Sequence, residues 1–268
     1  MSTLDYRIID AADSSLNKTS VLVTGETEAV LVDAAFTRAD GHRIVAELLD
    51  AGKRLTTVLV TAGDPDFYFG AEVVADAFPE AVFLAPADVA EHIRETYENK
   101  LAAWAHLGTN LPTRLVDIAP LTTPSVTVDG VALEVRRGST ELGDRAWYVF
   151  EPAGRALLGG VLLFEGLHVW TADSATTGQR TEWLRVLDDL EALEPAFVVA
   201  GHRVAGAPTD RTAIRHTAEY LRFFEKTIAE SADATAAEEQ LLAAYPDTGL
   251  KIAAALGTKV AKGEMAWG

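Results

Sequence analysis

Three side chains stand where loops meet strand ends and could share a proton: Asp64, Asp66 and His202. The two carboxylates fall in Thr61-Ala62-Gly63-Asp64-Pro65-Asp66, whose Gly, Pro and Asp content marks a loop, directly after the apolar run Val58-Leu59-Val60. His202 follows Gly201 at the end of another apolar run, 197–200, where side chains reach a cleft. A carboxylate beside an imidazole orients it and raises its basicity, so His202 with Asp66 or Asp64 would form a metal-free acid–base group. Asp beside Pro is also common in turns and could cap a helix beginning near Phe67, so for each aspartate both readings stay open. Asp64, Asp66 and His202 together would alternatively suit one harder cation such as manganese, magnesium or iron.

The remaining candidates are aromatic or lone. Phe67, Tyr68, His168 and Trp170 are expected to line an apolar small-molecule pocket with His202 and with Asp66 at its floor, against the plainer alternative of core packing. His42, His92, His106 and His216 fall on helical stretches and are expected to be solvated. Ser139 and Thr140 offer hydroxyls without the strand–turn–helix context that activates a nucleophile. Cysteine is absent, which removes disulfides, thiol nucleophiles and Cys–zinc sites.

The elements that must position these residues alternate in type. Residues 20–23 and 29–32 read as a hairpin delivering Asp33 at a strand end, and 39–51 carries Ile44, Val45, Leu48 and Leu49 at helical spacing before Gly52. Strand 58–60, helix 69–78, strand 82–84 and helix 88–107 follow. A Pro- and Thr-rich connection then leads to strands at 126–128, 133–135, 147–150 and 156–158. Helix 181–193, strand 197–200 and an amphipathic helix 210–231 complete the pattern, which is α/β and layered: two sheets face to face, covered by helices, with polar loops along one edge.

Composition sets outer limits. The 268 residues, 49% of them hydrophobic and 24% charged, suit one globular core. A formal net charge of −17 with scattered Lys and Arg disfavours nucleic acid and anionic lipid as partners. No leader-like segment and no apolar run of membrane-spanning length is visible, so a cytoplasmic location is expected.

Residues 58–70, VLVTAGDPDFYFG, resemble the metallo-β-lactamase signature, a strand followed by T-H-x-H-x-D-H-x-x-G. LVDAAF resembles that superfamily's strand ending on Asp, LLGGVLLF its G-D strand and VVAGHR its final G-H strand, in the same order over most of 16–206. FEGLHVWTADS and VAKGEMAW resemble one bacterial branch of it. The resemblance implies an αββα sandwich as one domain over 1–268, with a C-terminal helical extension from about 210. Matched by position, Ala62 stands at the first His, Asp64 at the second, Asp66 at the Asp, Phe67 at the third His, Gly138 near a later His, Gly160 at the bridging Asp and His202 at the last His. Only Asp66 and His202 survive, short of the three protein ligands a catalytic zinc takes. No metal and no cofactor are therefore expected. The expected activity is that of a metal-independent hydrolase- or lyase-like enzyme using His202 with Asp66 or Asp64 on a small molecule. A catalytically inactive small-molecule binding protein and a mononuclear metallohydrolase with a rebuilt Asp64/Asp66/His202 site remain as alternatives.

Overall fold

The structure is a computed structural model that describes residues 4–267. The first sheet runs β1 (Asp5–Asp10), β2 (Thr19–Thr24), β3 (Glu28–Val32), β4 (Arg54–Leu59), β5 (Val82–Ala85) and β6 (Ala119–Pro120) in chain order. It is antiparallel up to β3 and parallel from there on. Parallel neighbours need crossovers, which α1 (Arg38–Ala51) and the pair α2 (Pro65–Tyr68) and α3 (Ala71–Ala77) supply, with α4 (Ala87–Ala103) leading on to β6. Thr37 opens α1 with a reciprocal capping box to Asp40, and Gly52 closes it at φ 62°.

The second sheet contains β7 (Ser125–Val128), β8 (Val131–Arg137), β9 (Trp147–Glu151), β10 (Ala156–Leu158) and β12 (Phe197–Val199), in the order β12-β10-β9-β8-β7. A short parallel pair, β11 (Phe164–Glu165) and β13 (His202–Arg203), stands apart from both. α5 (Thr177–Ala192), α6 (Thr212–Glu230), α7 (Ala234–Ala244) and α8 (Lys251–Ala261) complete the chain.

Side-chain alternation makes the layering explicit. Val21, Val23, Val30 and Val32 face Val126, Val128, Leu133, Val135, Val149 and Leu158 across the sheets. The intervening residues turn outward: Leu22 and Leu31 join Ile44, Leu48, Val74 and Ile93 of the helices, while Phe150 and Leu157 join Val186, Leu187 and Leu190 of α5. Strands covered on both faces read as unbroken apolar runs, as 20–23 and 29–32 do. This is an αββα sandwich. Helix 69–78 of the sequence reading is the shorter α3, and the separate one-turn helix α2 precedes it, ending before Phe69 and Gly70.

Candidate functional site

β-ladder register builds the centre. In the β11/β13 pair Phe164 lies opposite His202, so their rings stack at 5.0 Å with an interplanar angle of 8°. The start of β2 is tied to the same turn: Thr19 N donates to Gly201 O at 2.8 Å, and Lys18 bridges to His202. That pairing carries the Lys18 side chain inward. From the other side α2, begun by Pro65, places Asp66 so that its Oδ2 accepts from His202 Nε2 at 2.8 Å, with Phe67 edge-on to the imidazole at 5.7 Å.

Asp66 and His202 are sealed, at 4% and 5% exposure. Burial holds the imidazole below its ordinary range, so near neutral pH it is uncharged and donates Nε2–H. Burial pushes the Asp66 carboxyl up, but the His202 hydrogen bond and the nearby Lys18 charge outweigh it and leave the carboxyl below its usual range. His202 Nδ1 finds no hydrogen-bond partner among the described residues.

Lys18, fully buried, completes this centre. Its Nζ donates to Asp33 Oδ2 at 3.0 Å and to Thr19 O, and lies 4.1 Å from the Phe67 ring centroid. Asp33 holds φ 62° at the end of β3 and accepts from Thr61 N at 2.8 Å and from Thr61 Oγ1. That hydroxyl in turn accepts from Gly160 N at 2.9 Å. A single network thus joins positions 18, 33, 61 and 160.

Asp64 lies at the open edge. Although it is the N-cap of α2, its side chain makes no capping bond and instead accepts from Arg145 Nη1 at 2.6 Å. The turn-capping reading of Asp64 is thereby corrected, since the guanidinium outcompetes the helix amides. Arg145 also faces Asp173 at 3.2 Å. Burial pushes the Asp64 carboxyl up to about 6; Arg145 opposes the rise, while Asp173 and Asp66 add to it. Lys100, donating to Gly63 O at 2.6 Å and touching His92, borders the cluster.

The expected common pocket is not formed as read from sequence. Phe67 does join Asp66 and His202, but Tyr68 packs with Phe69 and Tyr97. His168 is fully buried against Tyr220 and Tyr245, its Nδ1 3.0 Å from Tyr220 Oη, because its backbone N–H pairs with Gly249 in the loop between α7 and α8. Trp170 meets Trp267, whose indole N–H donates to Asp173 at 2.8 Å. The three described cavities are lined by other residues. Two helix histidines are likewise not simply solvated: His216 contacts Leu167 O at 2.8 Å and His92 contacts Lys100. Lys18, Arg145 and Asp173 were missed. A lysine opening a strand and an arginine after a Gly-Asp turn normally belong to solvent, so no local signal singles them out.

The superfamily's metal pair does not fit this arrangement. Asp64 is turned to Arg145 and Asp66 to His202, and among the described residues no group of three or more His, Cys, Asp or Glu is placed to hold a metal ion. The erased positions have also closed. A Cβ on Gly160, which holds φ 75°, would come 2.3 Å from Trp147 O, and one on Gly138 would come 2.5 Å from Val186 Cγ1. Ala62 is fully buried. This geometry also corrects the rebuilt Asp64/Asp66/His202 metal centre, whose carboxylates already have other partners.

Comparison with known proteins agrees with the architecture. A metallo-beta-lactamase family protein of Thermus thermophilus is 21% identical with a TM-score of 0.65, covering 94% of this chain and 91% of its own. A metallo-beta-lactamase from Pontibacter korlensis is 15% identical with a TM-score of 0.55, covering 83% and 98%. One from Hirschia baltica is 16% identical with a TM-score of 0.52, covering 81% and 91%. At these identities the likeness is one of fold. No curated protein matches the chain. The sequence profile of the metallo-beta-lactamase superfamily, however, matches residues 16–202, and the chain belongs to that superfamily as a member with a degenerate metal motif.

Proposed function

We propose that this protein is a small-molecule enzyme of hydrolase or lyase type that works without the superfamily's metal pair. Asp64 is its acid–base group, and Asp66 with His202 holds the loop behind it. The observation that carries this reading is the state of Asp64: its side chain is 25% exposed, so a substrate can reach it, and its carboxyl is pushed up to about 6, close to neutral. Asp66 and His202 are too enclosed to touch a substrate in this conformation and act as positioning residues. Function and fold are separable in this superfamily, so the reading rests on the site alone.

The test is a panel of ester, lactone and thioester substrates offered to protein dialysed against chelator. Asp64→Asn should lower kcat by about 10²-fold or more, the usual contribution of a general acid or base, with circular dichroism unchanged. Turnover that appears only on adding metal, or full turnover by Asp64→Asn, overturns the reading.

A second reading has its own support. The Asp66 charge is compensated internally by the His202 hydrogen bond and the nearby Lys18 ammonium, and both Asp66 and His202 are sealed, as suits a non-catalytic small-molecule binding protein. Ligand binding in thermal-shift screens without turnover of any substrate in the panel would favour it.

A further inference from the structure

Arg145 occupies an unusual place for an arginine. Its Nη1 lies 2.6 Å from Asp64 Oδ2 and 3.2 Å from Asp173 Oδ2, so oxygens from two loops converge on a single nitrogen. Asp64 itself stands at a position where the superfamily carries a metal-binding His, and Asp66 lies close enough for its charge to be felt by the guanidinium. The Arg145 and Asp64 side chains are only 15% and 25% exposed, so water screens the cluster weakly. Two carboxylates this close, with a third nearby, must either take up a proton or hold a cation between them, and Arg145 supplies the cation.

We propose that Arg145 is the resident cation of the cleft, a covalently tethered replacement for a metal charge that keeps divalent ions out. Hard divalent cations bind carboxylate oxygens at roughly 2.0–2.6 Å, and magnesium-type ions accept one or two carboxylates with water completing the shell. The oxygens of Asp64 and Asp173 already lie near that shell around Nη1, so a small movement would close them on an ion if the guanidinium were gone. With it present, an incoming divalent cation meets a positive charge fixed at the point it would occupy. This inference does not depend on Asp64 being catalytic. Arg145 acts through the carboxylates it holds and is a positioning residue.

Manganese(II) is the probe, titrated calorimetrically and followed by thermal shift and by electron paramagnetic resonance of the free ion. Wild type and Arg145→Lys, which both keep a cation, should show no stoichiometric binding. Arg145→Met should bind one equivalent about tenfold tighter or more, and adding Asp173→Asn to that variant should remove the gain. If Arg145→Met is unfolded in metal-free buffer, manganese must restore its circular dichroism. Wild type that binds manganese as tightly as Arg145→Met overturns the proposal, as does a folded Arg145→Met with no gain or an unfolded one that manganese does not restore. A merely structural arginine would lose stability on substitution without acquiring a metal.

Discussion

His202 and His168 are both buried loop-edge histidines with one ring nitrogen bonded and the other without a partner among the described residues, yet they are embedded in different chemistry. His202 meets a carboxylate, with a lysine ammonium and two aromatic rings around it. His168 meets a phenol among tyrosines. Burial lowers the basicity of both imidazoles, but only His202 has an anion pulling the other way. The first neighbourhood is an ionic centre and the second an aromatic clasp joining the loop after β11 to the C-terminal helices. An enclosed histidine is therefore a site candidate only by virtue of its partner.

The comparison predicts unequal costs when partners are removed. Asp66→Ala strips the anion from a sealed centre and leaves the His202 Nε2–H without its acceptor and Lys18 with Asp33 alone, which should cost about 3 kcal/mol, the upper end for removing one side of a buried hydrogen bond to a charged group. Urea unfolding measures it. A loss well under 1 kcal/mol would show that water reaches the centre freely and that its ionic character is not structural.

The same contrast explains what could be read from sequence. The layers were legible because apolar runs such as 20–23 and 29–32, the Gly52 stop and the loop at 61–66 are local signals that the tertiary structure did not override. Asp66 and His202 were legible as candidates because each follows a strand end in a recognisable order. Lys18 and Arg145 were not, because their roles come from ladder pairings and loop approaches between residues far apart in the chain: Lys18 through its bridge to His202, Arg145 through Asp64 and Asp173. The placement of His168 was hidden for the same reason, since it depends on the pairing of its backbone with Gly249. The strand β1 was also passed over, its alternation of Asp5 and Arg7 with Tyr6 and Ile8 being short and broken at Ile9.

A pH series sharpens the comparison with a smaller effect. The folded-state pKa of His168 is lowered from the ordinary 6.5 to about 4, first by burial and then by Lys251 and His216. Its contribution is fully present above about pH 6.5. As pH falls, the unfolded chain takes up a proton that the folded protein refuses, so stability is lost between about 6.5 and about 4, by up to roughly 3 kcal/mol. His168→Phe should flatten the stability profile in that window relative to wild type, measured by urea unfolding at stepped pH. His202 contributes in the same direction, so the slope should shrink without vanishing. An unchanged slope would mean that His168 is protonated in the fold and that the aromatic clasp is misassigned.

The smallest expected effect is the absence of one, and it bears on whether the ionic centre still carries a latent metal site. Returning His to position 62 alone restores one donor of the superfamily signature. The rest of the shell stays closed: Phe67 presents a ring where an imidazole would stand, Asp64 is bound to Arg145, and no side chain fits at Gly160 beside Trp147 O or at Gly138 beside Val186 without a shift of the chain. Ala62 is itself fully buried, so the new imidazole must also displace packed neighbours. A ligand that binds only the native state raises stability by RT ln(1 + [L]/Kd), and without a site that increment is zero. Wild type and Ala62→His should therefore show unchanged melting temperatures on adding zinc or chelator, with Ala62→His lower than wild type from overpacking. A zinc-dependent rise for Ala62→His alone would show that the neighbouring loops move enough to rebuild a coordination shell, and that the closure seen at Gly138 and Gly160 is not what keeps metal out.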